Sequence, residues 1–415
     1  MSTTWRSHSS RGVVDLAIFG GRPAFSEQLH VGRPNTGNRD RLYERIDSIL
    51  SRRWLSNGGP FVREFEQRIC ELVGVRHCVA TCNGTAALEI GIRALGLTGE
   101  VIVPSFTFVA TAHALKWQGI SPVFCDVDPH THNLDPAKVE ALITPRTTGI
   151  LGVHLWGRAC AIERLEEVAR RHRLMLLFDA AHAFACSYNR QMVGNFGSLE
   201  AFSFHATKFL NTFEGGAVVT NDNALAAKLR AIQNFGFADH DEVTDVGINA
   251  KLNEVSAAMG LTGLESLDEV IAVNHANYNQ YRAKLQGVPG ISVALFDERE
   301  KSNFQYVVVE VDEAAAQLTR DQLMAILHAE NVLARRYFYP GCHRAAPYRT
   351  AAPDAGAHLP VTDALSNRVL VLPTGTAVNP EDAGRVCDIV RLAVAHGPEI
   401  CQRLSRRPEL VLASR

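Results

Sequence analysis

Lysine is scarce in this 415-residue chain, with only seven in all, so a lysine with a chemical task has few candidates. Lys208 closes the run Ser203-Phe204-His205-Ala206-Thr207-Lys208 and is followed by Glu214-Gly215-Gly216. Its amine is the side-chain group that forms imines with carbonyls, and partial burial lowers its pKa enough for it to act as nucleophile and base. A solvated surface lysine is the plain alternative. Phe204, Phe209 and Leu210 around it argue against that.

A second feature is Asn83-Gly84-Thr85-Ala86-Ala87, directly after HCVATC. A glycine turn that opens a helix leaves backbone N–H groups pointing outward at the positive end of the helix dipole. With the Thr85 hydroxyl these groups make a phosphate seat, to which Ser203 adds a second hydroxyl. Taken alone, the same residues fit an ordinary strand-to-helix turn with Thr85 as cap. The third feature is Asp179, where the apolar run LMLLFD ends in a carboxylate followed by Ala-Ala-His. A carboxylate there suits pairing with a pyridinium nitrogen, which keeps the ring protonated as an electron sink. Its rivals are a helix N-cap and a metal ligand, but no second ligand stands at i, i+4. We expect no metal. An imine-forming lysine, a phosphate seat and a ring-pairing carboxylate, each at a strand end, together describe a site for pyridoxal phosphate held as a Schiff base on Lys208.

The elements that must position these residues follow from hydrophobic periodicity. From about Phe61 to Asn234, strand-like runs (HCVAT, EVIVP, PVFCDVD, GILGVH, LMLLFD, AFSFH, GAVVT) alternate with helical patterns such as Val62, Phe65, Ile69 and Leu72. This alternation predicts an α/β domain with a mostly parallel central sheet flanked by helices. Ligands of such sheets bind outside the carboxyl ends of the strands, where the three features lie. Asn253 to Leu285 reads as one long helix without internal proline. Beyond Pro289 come a strand FQYVVVEV, a helix near Arg320–Glu330, a strand around Arg335–Tyr339 and a terminal helix after Pro380, a smaller α+β domain. The expected division is 1–35 as a partly disordered lead-in, 36–288 as the large domain and 289–415 as the small one.

Composition narrows the function. Hydrophobic residues make up 46% and charged residues 21%, as in a globular protein. A formal net charge of -2 gives no reason to expect nucleic acid or an acidic membrane surface. No apolar run reaches the roughly 18–20 residues of a membrane span, and the polar start MSTTWRSHSSRG lacks a signal core. Nine cysteines without a C-x-x-C read as reduced thiols, and we expect a cytoplasmic protein.

The chain closely resembles the DegT/StrS family of PLP-dependent sugar aminotransferases, which have the type I aminotransferase fold. The resemblance runs through WLSNGGPFVREFE, NGTAAL, VPSFTFVATAHA, FDAAHAF, SFHATKFLNTFEGGAVVTND, GINAKLNEVSAAMGL, RRYFYPGCHRAAPY and VLVLP. It implies that Lys208 is the Schiff-base lysine and that Asp179 binds the pyridine nitrogen. It puts His182 at the ring hydroxyl and Phe108 stacked on the ring, with Gly84, Thr85, Ala86 and Ser203 holding the phosphate. Asn249 would reach the phosphate of a partner subunit, which implies a homodimer with shared sites. Lys251, Tyr339 and His343 would face the substrate; a helix charge is the plain reading of Lys251. Phe108 and His182 also read as core residues. His154 and Trp156 either line the site or pack in the core. The implied reaction is ping-pong transamination from an amino donor, glutamate, to a nucleotide-linked keto sugar. SFHATK followed by EGG resembles members acting at C4, so a dTDP-4-keto-6-deoxy-hexose is expected. A C3-specific aminotransferase, a sugar dehydratase and a PLP-binding regulatory protein without turnover are the alternatives. Dehydratases of this kind typically carry histidine where Lys208 stands.

Overall fold

The structure is a computed structural model that describes residues 12–239, 241–350 and 358–412. The first eleven residues of the expected lead-in lie outside the described residues. The seven apolar runs become seven strands: β1 (His77–Thr81), β2 (Glu100–Pro104), β3 (Ser121–Cys125), β4 (Thr147–Val153), β5 (Met175–Asp179), β6 (Leu199–Ser203) and β7 (Gly216–Thr220). They form one sheet in the order β1-β7-β6-β5-β4-β2-β3. Only β7 runs against its neighbours, antiparallel to both β1 and β6.

A sheet buried on both faces needs apolar residues in continuous runs rather than alternating ones. Leu177 faces the core shared with the helices Gly84–Ala94 and Asn223–Gln233. Its neighbours Leu176 and Phe178 face the opposite core, where the helix Ile162–His172 packs through Ile162, Leu165, Val168 and Ala169. Side chains alternate across a strand, so helices on both faces use every residue of it.

A second, antiparallel sheet has the order β8 (Ile291–Val293), β9 (Val307–Val311) and β10 (Val369–Leu372). It shares a core with the helices Arg320–Ala329, Leu267–Leu285 and Pro380–Ala395. Val13, Leu16, Phe25 and Leu29 belong to this same core. The buried Glu330 carboxylate accepts the N–H groups of Ala17 at 2.8 Å and Ala24 at 2.6 Å. The described part of the lead-in is thus anchored to the C-terminal core through its own apolar residues. Asp126, just beyond β3, accepts the Thr362 N–H and hydroxyl, both at 2.8 Å, and the Val361 N–H at 3.1 Å. That carboxylate pins the first turn of the helix Pro360–Arg368 to the central sheet.

Three expectations are corrected. The helix expected over Asn253–Leu285 is two, Glu254–Glu265 and Leu267–Leu285. At the break, the Ser266 hydroxyl donates back to the Gly263 carbonyl at 3.3 Å, a local bond that competes with the helical ladder. The strand expected around Arg335–Tyr339 is a single bridge, Arg335 to Val371, followed by a turn closed by Gly341 N–H to Phe338 C=O at 2.6 Å. Pro340 has no N–H to offer a ladder, and Tyr337 and Phe338 turn toward a cavity instead. The strand expected from Phe304 begins at Val307, because Asn303 is held elsewhere by bonds to the carbonyls of His182 and Phe184 at 2.9 and 3.0 Å. Among the described residues, no helix is long and apolar enough to cross a membrane.

Candidate active site

A cavity of about 350 Å³ opens where the carboxyl ends of the central strands meet the residues leading into β9 and out of Arg335. Gly84, Thr85, Phe108, Asp179, His182, Ser203 and Lys208 all line it.

Strand β1 delivers the phosphate seat. Asn83 caps the helix Gly84–Ala94 by accepting the Ala86 N–H at 2.8 Å. The first amides, of Gly84 and Thr85, have no partner inside the helix and open onto the cavity they line. A Cβ on Gly84 would stand 2.8 Å from the Ser203 Cβ, so glycine alone lets this turn approach the end of β6. The Ser203 hydroxyl therefore lies against the helix N-terminus. Ala86 is buried in the first turn and does not line the cavity; its N–H already serves the cap.

Strand β5 delivers Asp179, whose carboxylate accepts the Thr111 hydroxyl at 2.8 Å and the Ala181 N–H at 3.1 Å. Burial pushes its carboxyl above the ordinary range, against those two bonds and the pull of Lys208 and His154. Among the described residues, no ion pair within 4.0 Å reaches Asp179, a costly way to keep a buried carboxylate. From the adjacent strand β6 the chain turns through His205 to Lys208, whose N–H donates to the His205 carbonyl at 2.8 Å. The Lys208 side chain is half-buried, and its amine donates to the Tyr306 hydroxyl at 3.1 Å. Burial pulls its pKa down to about 8, with the Asp179 charge opposing.

The His182 ring is wedged between Trp156 and Tyr306, with centroids 5.8 and 4.3 Å away. Its Nδ1 accepts the Trp156 N–H at 3.3 Å. Burial, and then the Lys208 charge, hold this histidine well below its ordinary pKa. A neutral ring whose Nδ1 accepts must carry its proton on Nε2, so His182 is fixed as an Nε2 donor. Phe108 caps the helix Val109–Lys116 and leaves 58% of its surface open at the cavity. Its ring has an apolar face to offer a planar ligand.

The remaining sequence candidates lie elsewhere in this chain. Asn249 is exposed and bridges Asn234. The Lys251 amine donates to the Asn234 side chain at 2.7 Å and sits over the Phe235 ring. Tyr339 is exposed and covered by Arg336 at 4.3 Å. His343 is buried between Ser105 at 2.7 Å and Asp363 at 3.1 Å. His154 packs in the core, stacked on Phe178, with its Nε2 3.2 Å from the buried Glu200 carboxylate. Trp156 backs His182 from the core. Sequence reasoning missed Tyr306, Arg335, Tyr337 and Phe338 on the cavity wall and Thr111 behind Asp179. The aromatic run in RRYFYP was the available signal, hidden by its strand-like pattern.

These residues fit a planar, phosphate-bearing carbonyl compound: an open helix N-terminus, an undercompensated carboxylate and an amine whose pKa is lowered to about 8. The sequence model of the DegT/DnrJ/EryC1/StrS aminotransferase family matches residues 38–391. The dTDP-4-amino-4,6-dideoxy-D-glucose transaminase of Escherichia coli is 35% identical over 356 residues, covering 85% of this chain and 95% of that protein. The GDP-perosamine synthase of Caulobacter vibrioides is 36% identical over 367 residues, covering 86% of this chain and 96% of that one. The crystal structure of DesI in the presence of its TDP-sugar product matches with a TM-score of 0.90 at 53% identity, covering 94% of this chain and 99% of DesI.

Proposed function

The chain belongs to the DegT/DnrJ/EryC1/StrS aminotransferase family, and from that premise we propose that it aminates C4 of a dTDP-linked 4-keto-6-deoxy sugar, with glutamate as donor. Its cofactor is pyridoxal phosphate. The observation that carries the reading is that Lys208 and buried Asp179, from adjacent strand ends, line one cavity with an open helix N-terminus. When bound, the cofactor supplies an electron sink for the carbon that loses its proton.

The chain's own residues divide the remaining work. Lys208 Nζ would hold the cofactor covalently and, when free, would carry a proton to and from the substrate carbon. The Asp179 carboxylate would keep the ring nitrogen protonated, and that cation would in turn offset its burial. His182 Nε2 would donate to the ring hydroxyl, and Phe108 would cover a ring face. Gly84, Thr85 and Ser203 hold the phosphate, with Ala86 behind them in the first turn. With the keto sugar in the site, Lys208 Nζ would deliver the proton in the opposite direction.

Several finer statements belong to this proposal. The enzyme acts as a homodimer in which Asn249 serves the partner subunit's phosphate seat and Lys251 its nucleotide. This accounts for their distance from the cavity of their own chain. Tyr339 and His343 act through the rim of the sugar site. The large domain spans 36–288 and the small one 289–415, and the enzyme is cytoplasmic. The test is incubation of the holoenzyme with glutamate and dTDP-sugars carrying the ketone at C4 or at C3. The expected product has an amino group at C4, read by mass and NMR. Amination at C3 alone supports the second regiochemistry, which the Glu214-Gly215-Gly216 sequence argues against. Retained cofactor with no half-reaction from any amino donor would leave only a non-catalytic role.

A further inference from the structure

Lys208 does not rest on the carboxylate that shares its cavity. Its Nζ donates instead to the Tyr306 hydroxyl, 3.1 Å away. Tyr306 comes from the other sheet, one residue before β9. Phe304, just upstream, adopts a left-handed conformation with φ of 47°. Asn303 fixes the segment by donating to the carbonyls of His182 and Phe184, and its own side-chain oxygen accepts the Gln305 N–H at 3.0 Å. The Tyr306 ring packs edge-on to Trp156 at 5.5 Å and is 5% exposed, so its hydroxyl has little freedom of direction. Burial, then the nearby Tyr337 and Asp179, push its phenol well above the ordinary range, so it stays protonated and neutral.

We propose that Tyr306 is the positioning residue for the Lys208 amine: its phenol oxygen receives the Nζ–H and keeps Nζ aimed into the cavity whenever that nitrogen is not bonded to the cofactor. The inference rests on the assignment of Lys208 as the cofactor-bearing lysine. It adds a residue from the C-terminal sheet to a site otherwise built on the ends of the central strands. A flexible four-carbon stem without such a partner loses aim, and re-attachment and proton delivery both suffer. Loss of a neutral acceptor also disfavours the ammonium form, so the Lys208 titration moves to lower pH.

The test follows cofactor attachment to the cofactor-free full-length chain by its absorbance, across a pH series. Tyr306→Phe keeps the ring and its packing. Its plateau rate is expected to fall about three- to tenfold, the loss of one neutral hydrogen bond that aims the free amine, with the midpoint of the pH profile shifted downward because the ammonium form loses its acceptor. Tyr306→Gln, which restores an acceptor, recovers part of the midpoint shift. The second measurement is the cofactor dissociation constant in a Lys208→Met background. There Tyr306→Phe should change affinity by less than about twofold, because the tyrosine acts through the amine. Overlaid pH profiles for Tyr306→Phe and wild type would overturn the role, as would an equal loss of affinity with and without Lys208. No cofactor uptake by the wild-type chain would overturn the cofactor assignment together with it; uptake with overlaid profiles removes only Tyr306.

Discussion

Two aspartates stand at the carboxyl ends of parallel strands, and the fold treats them in opposite ways. Asp126, after β3, collects the Lys138 amine at 2.9 Å, the Thr362 N–H and hydroxyl and the Val361 N–H. Burial alone would raise its carboxyl, but the Lys138 and Thr362 bonds outweigh it and hold the group below the ordinary range. Asp179, at the end of β5, has one hydroxyl and one amide, and burial wins. Each has a lysine in reach of its field. Lys138 touches its aspartate and is 40% exposed; Lys208 is half-buried and bonded to a tyrosine. A carboxylate whose acceptor sites are filled by the chain is a structural pin. One left short of donors in a cavity is waiting for a ligand.

The strongest break of this comparison uses the lysines. Lys208→Ala should remove the visible absorbance of lysine-bound cofactor and lower turnover by about 10⁴-fold or more, the scale of losing nucleophile and proton carrier together. Lys138→Ala should leave turnover by folded enzyme unchanged. Unaltered absorbance and turnover in Lys208→Ala would sink the assignment of the site.

The aspartates sharpen it next. Asp179→Asn removes the charge proposed to keep the ring nitrogen protonated while nearly preserving shape. Turnover should fall by roughly 10²–10⁴, with thermal stability of the cofactor-free chain equal or higher. Asp126→Asn should do the reverse: turnover per folded molecule intact and stability lower by about 1–3 kcal/mol, because charged acceptor bonds to Thr362 and Val361 are weakened. Urea titration and steady-state kinetics on both variants separate the two patterns. If Asp126→Asn lost turnover without losing stability, the contrast would fail.

Protons give the third test. Attachment of the cofactor needs Lys208 unprotonated. With its pKa near 8, the attachment rate should climb about tenfold per pH unit below that value and level above it. A rate still climbing past pH 9 would mean that burial does not depress this amine. Asp126 has the opposite sign. A carboxylate with a lowered folded pKa adds stability that is present above its unfolded pKa and is lost as pH falls through the folded one. Its contribution therefore disappears only in acid, well away from the Lys208 titration.

Much of this contrast was readable from the residues. Asp179 was legible because five apolar residues lead to a single carboxylate, and Lys208 because lysine is rare and its neighbours are apolar. The seven central strands were legible because sheets buried on both faces need unbroken apolar runs. Asp126 was not, since PVFCDVD reads as strand throughout and its partner Thr362 lies 236 residues away. Tyr306 was hidden for the same reason, inside FQYVVVEV, where only Asn303's bonds to a distant loop stop the strand from starting early. The break at Ser266 carries no proline to announce it. Local pattern reveals elements and their ends; which ends meet across the two sheets is set by long-range contacts.

The smallest effect concerns stability and tests the same idea from the other side. Lys208 titrates near 8 in the folded chain against an ordinary value of 10.5. Between those values the unfolded chain binds more protons, so stability rises with pH there; below about 8 the full penalty of burying the cation is present. Lys208→Met removes the penalty and should stabilise the cofactor-free chain at pH 7 by about 1–3 kcal/mol, with the gain fading as pH approaches 10.5. Lys138→Met should cost less than about 1 kcal/mol, since its half-exposed ion pair is screened by solvent. Denaturant titrations of both variants at several pH values read the two signs directly. A Lys208→Met chain no more stable than wild type at pH 7 would mean that the buried amine is already compensated. The cavity would then not be holding its charges in want of a ligand.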